Sequence, residues 1–321
     1  MAGQKSGIRD VIIIGAGAAG LSAALTLARA RRTVTVVDAG RPRNAPADGV
    51  HGLLGLEGIS PSELSARGRD EVLGYGGEIV DDEVVEVTRS AEGFTVSLRS
   101  GDSIESRRLL VATGLVDELP EIPGVREQWG RGVLHCPYCH GWEVRDSRIG
   151  ILVTNPMAVH KAFLFRQWSS QVMLFTGDHE LSEDERLKLR ALDIPVVDGG
   201  IDSLEIVDDR LTGVRLSTGQ VVEIDAAVVA TPMVARAELF AGIGLEPTEH
   251  PAGAFIETDT FGQTSAPGVW AAGNATDIGA QVSGAAAAGA LAAQHINTDL
   301  IFKDLDRAAA ELDRDNDGEV A

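Results

Sequence analysis

Cysteine is almost missing from this chain of 321 residues: the only two are Cys136 and Cys139. That excludes a disulfide-stapled framework and leaves the pair no other thiol to bond. Zinc is disfavoured on the same ground, since two further ligands would be needed and His135 and His140 stand too close in sequence to complete a closed tetrahedron. No apolar run reaches the roughly 20 residues of a membrane span. Positive charge is scarce too, with 28 Lys and Arg against 48 Asp and Glu and a formal net charge of -20, so nucleic acid and anionic membranes are excluded as expected partners. The opening Met1 to Gly7 lacks the apolar core of a signal peptide, and a lone CxxC suits a reducing compartment; the expected location is cytoplasmic.

What is present is chemically pointed. The stretch His135-Cys136-Pro137-Tyr138-Cys139-His140-Gly141-Trp142-Glu143 holds two thiols two residues apart, which can close into a small ring and act as a two-electron switch. Far upstream, Val11-Ile12-Ile13-Ile14-Gly15-Ala16-Gly17-Ala18-Ala19-Gly20 runs from a β-branched strand into a glycine turn and an alanine-rich helix. Gly15 permits the turn, Gly17 lets a pyrophosphate approach the backbone, and Gly20 lets helix and strand pack closely. A second strand, 33–37, ends at Asp38, a carboxylate placed to hydrogen-bond a ribose diol and to repel a 2′-phosphate. Dinucleotide binding follows from strand, turn, helix and acid together.

Two later strands also end in small-residue turns, Leu109-Leu110-Val111-Ala112-Thr113-Gly114 and Val269-Trp270-Ala271-Ala272-Gly273-Asn274. Beyond them, 280–293 reads as a small-residue helix that either packs in a core or aims its N-terminus at a cofactor. In this order, GxGxxG, ATG, CxxC and AAG, followed by the helix with Gln281 and Val282, the chain resembles the low-molecular-weight thioredoxin reductase family over nearly its whole length. The resemblance implies an α/β fold of two Rossmann-like, three-layer ββα nucleotide-binding-type domains, the second inserted into the first. Residues 1–118 and 250–321 would hold FAD and 119–249 would carry the CxxC. It implies FAD contacts from Gly15, Gly17, Ala18, Ala19 and Gly20, from Asp38, Ala39 and Arg43, and from Val85 in the hairpin 83–98. Ala112, Thr113, Gly114, Gly273, Asn274, Gln281 and Val282 complete the set. Arg43 could reach the pyrophosphate or be solvated, and 51–58 would pass near the isoalloxazine. A homodimer is implied as well.

Three departures from that family reshape the expected function. After Ile149-Gly150-Ile151-Leu152-Val153 comes Thr154-Asn155-Pro156-Met157, with every glycine of a second nucleotide turn missing and a proline that has no N–H to donate. Asp178 and Glu180 stand where the family carries arginines for a 2′-phosphate. Directly after the second thiol is His140, where the reductases have aspartate; a histidine can take protons near neutrality, or it can be a hydrogen-bonded framework residue. Asn274 replaces an aspartate and keeps only an uncharged acceptor.

The pattern is similar to the dithiol oxidases that close disulfides in natural products such as gliotoxin and holomycin. The resemblance therefore implies a small-molecule dithiol as substrate, electrons passed through FAD to oxygen, Cys136 exchanging with substrate sulfur, Cys139 against the flavin and His140 managing protons. The alternatives are a reductase of thioredoxin-like disulfides fed by ferredoxin or weakly held NAD(P)H, and a redox-sensing flavoprotein without turnover. Trp142 is expected to pack under the CxxC helix or, with Tyr138, to wall a planar substrate. The acidic tail 304–321 is expected to be a solvated, frayed end; its calcium-loop-like start at Asp313 lacks the terminal glutamate such a loop requires.

Overall fold

The β-branched run ahead of the first glycine turn forms β1 (Arg9–Ile14), whose residues Val11 to Ile14 are buried on both faces because they offer no polar side to water. The structure, a computed structural model, describes residues 7–318. From β1 the chain passes through α1 (Ala18–Arg29), β2 (Val34–Asp38), α2 (Pro61–Gly74) and β3 (Glu78–Asp81). A meander of β4 (Val84–Arg89), β5 (Phe94–Leu98) and β6 (Ser103–Val111) follows. The strands order as β3-β2-β1-β6-β5-β4, parallel from β3 to β6 and antiparallel from β6 to β4. Ser60 caps α2: its Oγ accepts the Glu63 N–H, with Pro61 at the first helical position.

The chain leaves this sheet along β7 (Leu115–Asp117) and reaches the thiols through α3 (Val125–Gln128), β8 (Val133–Leu134) and the one-turn α4 (Pro137–His140). A second, all-parallel sheet then forms from β9 (Ile149–Leu152), α5 (Ala158–Phe165), β10 (Val172–Phe175), α6 (Glu183–Ala191) and β11 (Val196–Val197). An antiparallel layer of β12 (Ile201–Val207), β13 (Arg210–Leu216) and β14 (Val221–Glu223) precedes its last strand, β15 (Ala226–Val229). The order is β11-β10-β9-β15-β8. Helices bury one face of this sheet around Ile151, Ala162 and Phe165, and the antiparallel layer buries the other around Phe175, Val214 and Ile224. That is the three-layer arrangement the sequence implied.

The chain begins its return to the first sheet ahead of residue 250. β16 (Met233–Ala235) pairs antiparallel with β7, so the outgoing and returning chain cross side by side. Ala235, Phe240, Ile243 and Leu245 already lie in the first sheet's core. The motif at 250–253 is instead the turn of a hairpin, β17 (Thr248–His250) and β18 (Gly253–Phe255), that extends the crossing pair into a small sheet. β19 (Val269–Ala271) then returns beside β6, and α7 (Val282–Gly318) packs along α1. The tail is solvated as expected, residues 305–314 all being exposed, but it is not frayed: α7 continues as helix to Gly318, with Asp304 ion-paired to Arg32 and Arg107. Residues 319–321 of the calcium-like stretch, and Met1 to Ser6 of the opening stretch, lie outside the described residues.

Candidate active site

Cys136 is the N-cap of α4, and Pro137 at the first position pre-sets the turn, so the Tyr138 and Cys139 N–H groups point back at the Cys136 sulfur. Both thiols are free and half-buried. A hydrogen bond from the Cys139 thiol is the largest influence holding the Cys136 thiol down, to about 6, helped by those backbone donors and by the Lys161 ammonium against the cost of burial. The same shared proton, with burial, pushes Cys139 upward. The reduced pair thus carries one thiolate, on Cys136, and one retained proton, on Cys139.

Lys161 was not foreseen. It stands on α5, in the second sheet's layer, and its Nζ donates to the His135 carbonyl at 2.5 Å, immediately before Cys136. Burial pushes the ammonium down while the thiols and Asp117 pull it up. Only the fold could reveal this, because α5 and α4 are adjacent in space and separated by a strand in sequence. His135 is half-buried and pushed down to about 3 by desolvation, then by the Lys161 and Arg43 charges, so its imidazole is neutral. We expect alkylation of the reduced protein to modify Cys136 with a midpoint near pH 6. Lys161→Met should move that midpoint upward by about one pH unit; an unchanged midpoint, read by mass spectrometry of the labelled peptide, would remove Lys161 from the site.

His140 ends α4 with both ring nitrogens buried and without a hydrogen-bond partner among the described residues. Burial lowers its proton affinity, against the pull of Glu143 and Asp48 and with a further push from His51. A neutral imidazole with uncommitted nitrogens beside two thiols can accept a proton, and it does not play the hydrogen-bonded framework role. Trp142 corrects the packing expectation: it is 65% exposed, stacked by the Arg145 guanidinium at 4.3 Å. Trp168 packs under the thiol helix instead, edge-on to Tyr138 at 5.7 Å and tight against Gly141.

The residues present fit a flavin dinucleotide. Gly15 takes φ +106 and gives no room for a Cβ, which would sit 2.4 Å from the Ala112 carbonyl oxygen; Gly17 faces open space. α1 has no side-chain cap, so its first-turn amides at Ala18, Ala19 and Gly20 remain as donors for an anion. Ala112, Thr113 and Gly114 leave β6 beside that turn, and Gly273 approaches Ala19 from the far side. Asp38 accepts from the Ala16 N–H at 3.4 Å and from Arg69 at 3.0 Å, an arginine the sequence did not single out. Asn274 spends its amide N–H groups on the Asp277 and Ala280 carbonyls, which leaves its oxygen as acceptor. Gln281 and Val282, at the start of α7, are half-buried, with the Gln281 side chain beside Gly52. Ala39 and Val85 are exposed, Val85 beside a register shift between β4 and β5.

Arg43 is neither solvated nor uncommitted. Its Nε and Nη2 donate to the two Asp117 oxygens, each at 2.6 Å, and its charge acts on Cys139, His135 and Lys161. The pairing places it at the crossing strands beside the thiols, where Thr231 also donates to Asp117 at 3.3 Å.

The second nucleotide turn is filled by its own side chains. Asn155 Oδ1 accepts the Met157 N–H at 2.9 Å, while Asn155 Nδ2 and Thr154 Oγ1 both donate to the Ala230 carbonyl, at 2.8 and 2.9 Å. These bonds tie the turn to the end of β15 and occupy a donor that would otherwise face a phosphate. Asp178 and Glu180 are exposed beyond β10. Among the described residues no group of three or more His, Cys, Asp or Glu side chains could hold a metal ion.

The pyridine nucleotide-disulphide oxidoreductase pattern matches residues 9–289. The chain is 32% identical over 310 residues to thioredoxin reductase tcpT of Claviceps purpurea (strain 20.1), covering 93% of this chain and 96% of that protein. It is 33% identical to thioredoxin reductase sirT of Leptosphaeria maculans, with the same coverage. Among solved structures, HlmI superposes with a TM-score of 0.92 at 47% identity, over 97% of this chain and 98% of the other.

Proposed function

Because the chain belongs to the pyridine nucleotide-disulphide oxidoreductase family and is a thioredoxin reductase-like FAD enzyme, we propose that it oxidises a small-molecule dithiol, with oxygen as final acceptor. The observation that carries this reading is the side-chain-filled second turn, where Thr154 and Asn155 brace Ala230 in place of a pyrophosphate cradle. The intact thiol pair, with a proton acceptor beside it, argues for turnover over sensing.

Bound FAD supplies the acceptor for the electron pair; the chain's residues handle sulfur and protons. One substrate thiolate attacks Cys136 of the closed pair, breaking the Cys136–Cys139 bond, and Cys139 departs with the electrons. The second substrate thiolate attacks the substrate sulfur of the mixed disulfide and expels Cys136, whose depressed proton affinity makes it the faster leaving group. The substrate loses two electrons and two protons, and His140 is the residue placed to accept a proton. Overall, dithiol and oxygen become disulfide and hydrogen peroxide.

The flavin is held, in this reading, by the first sheet's turns, from Gly15 to Gly20, Asp38 with Ala39, Val85, 112–114, Gly273, Asn274, Gln281 and Val282. The central segment carries the thiols. The partner is a small dithiol or disulfide; reduction of a thioredoxin-like protein through ferredoxin or weakly held NAD(P)H is the competing route. A homodimer is supported by the exposed stripe of Leu291, Phe302, Leu305 and Leu312 along α7. A cytoplasmic setting is supported by a cysteine content limited to one CxxC pair, and no described helix is long and apolar enough to cross a membrane.

Anaerobic mixing of the yellow protein with a dithiol, NADH or NADPH separates the routes. A dithiol should bleach the flavin band within the turnover time and neither nicotinamide should; rapid bleaching by NADPH would reverse the assignment.

A further inference from the structure

We propose that His51 and Glu57 form a proton relay linking His140, beside the thiols, to solvent. The inference rests on the dithiol-oxidase reading, in which each substrate delivers two protons to this pocket and they have to leave it. Both ring nitrogens of His140 are buried and have no hydrogen-bond partner among the described residues, so a proton accepted there has to be handed on.

A group shaped to receive it lies on another part of the chain, close enough for its charge to act on His140. His51 opens the loop 51–58 and its Nδ1 meets Glu57 Oε1 at 2.7 Å. The Gly52 N–H fixes the other oxygen, Oε2, at 2.8 Å. A carboxylate held this way sets the imidazole tautomer with the proton on Nδ1 and leaves Nε2 free to exchange. That Nε2 faces Glu143 Oε1 at 3.5 Å, and Glu143 follows His140 by three residues on the arm carrying the thiols. The hydrogen bonds from His51 and Gly52 hold Glu57 below the usual carboxylate range, and its side chain is 64% exposed, so it offers protons a route to water.

The charged and titratable groups around this path are Asp48 and Glu57 on the flavin-side loop and His140 and Glu143 on the thiol arm. The path is balanced in protons alone: a substrate thiol gives one to His140, His140 passes one to His51 Nε2, and His51 releases one from Nδ1 toward Glu57 and solvent. No electron moves along it. A bland reading treats the same three side chains as a latch between loop and arm. The two differ in what glutamine does at position 51, since its amide can keep a hydrogen bond to Glu57 and cannot relay a proton.

The test uses the holoenzyme with dithiothreitol under anaerobic conditions, following flavin bleaching by stopped flow. His51→Gln and His51→Ala should both slow bleaching by about 10- to 100-fold with the flavin spectrum intact. Added imidazole should restore much of the rate in His51→Ala. A His51→Gln rate equal to the wild type, or a His51→Ala loss that imidazole leaves untouched, overturns the relay. If the wild type itself is not bleached by the dithiol, the oxidase reading fails first, and the two failures are told apart.

Discussion

Serine at either Cys136 or Cys139 is expected to lower dithiol turnover by about 10³-fold or more while the protein stays yellow, because each sulfur takes part in bond making and the flavin site is built from other elements. The two variants should fail differently. In Cys139→Ser, the Cys136 sulfur keeps the Tyr138 backbone donor and Lys161 nearby, so it remains nucleophilic. It should attack an added small disulfide and stop at a mixed disulfide, visible as a mass adduct, because no second sulfur can resolve it. In Cys136→Ser, the remaining thiol loses the neighbour that pushed it upward, and it should be sluggish toward alkylation for want of the cap geometry. Peroxide release at the wild-type rate from either variant would end the sulfur-relay account.

The second large effect concerns the flavin unit. A Cβ at Gly289 on α7 would sit 2.0 Å from the Ala19 carbonyl oxygen on α1, backbone that cannot step aside without moving the glycine turn it anchors. Gly289→Ala should therefore cost about 3 kcal/mol or more and release the cofactor, because overpacking here separates two helices along their contact. Gly17→Ala is the matched control: its Cβ meets nothing within 4 Å, so the apoprotein should melt as the wild type does while FAD affinity falls. Equal melting temperatures for Gly289→Ala and the wild type, by differential scanning fluorimetry, would contradict this view of the α1–α7 contact.

How far the residues announced these features depended on the distance over which each signal acts. The strand–turn–helix at 9–29, the cap at Ser60 and the missing glycines after β9 are local, and each appears where periodicity and turn chemistry put it. The Ala-rich helix was read as either packing or cofactor contact, and Gly289 against Ala19 shows the packing. Long-range partners were illegible. Arg43 and Asp117 are 74 positions apart, and Lys161 reaches the thiol arm from the next crossover, so spacing rules say nothing about either. Trp168 carries no local signal as support for the thiol helix, because only the crossover places it beneath Gly141. The tail is exposed, as its acidic composition suggests, yet it continues as helix, with Asp304 at its start held by Arg32 and Arg107, partners too far away in sequence for spacing to reveal.

The bracing of Ala230 by Thr154 and Asn155 also bears on how such a protein can change. Restoring glycine there one position at a time would first strip the Ala230 carbonyl of its donors and leave the Met157 N–H without its acceptor, before any nucleotide could repay the loss. Each single step back is downhill in stability and gains nothing in binding, so the filled turn behaves as an evolutionary ratchet. A lineage that has closed this cradle meets a stability barrier before it can reopen it.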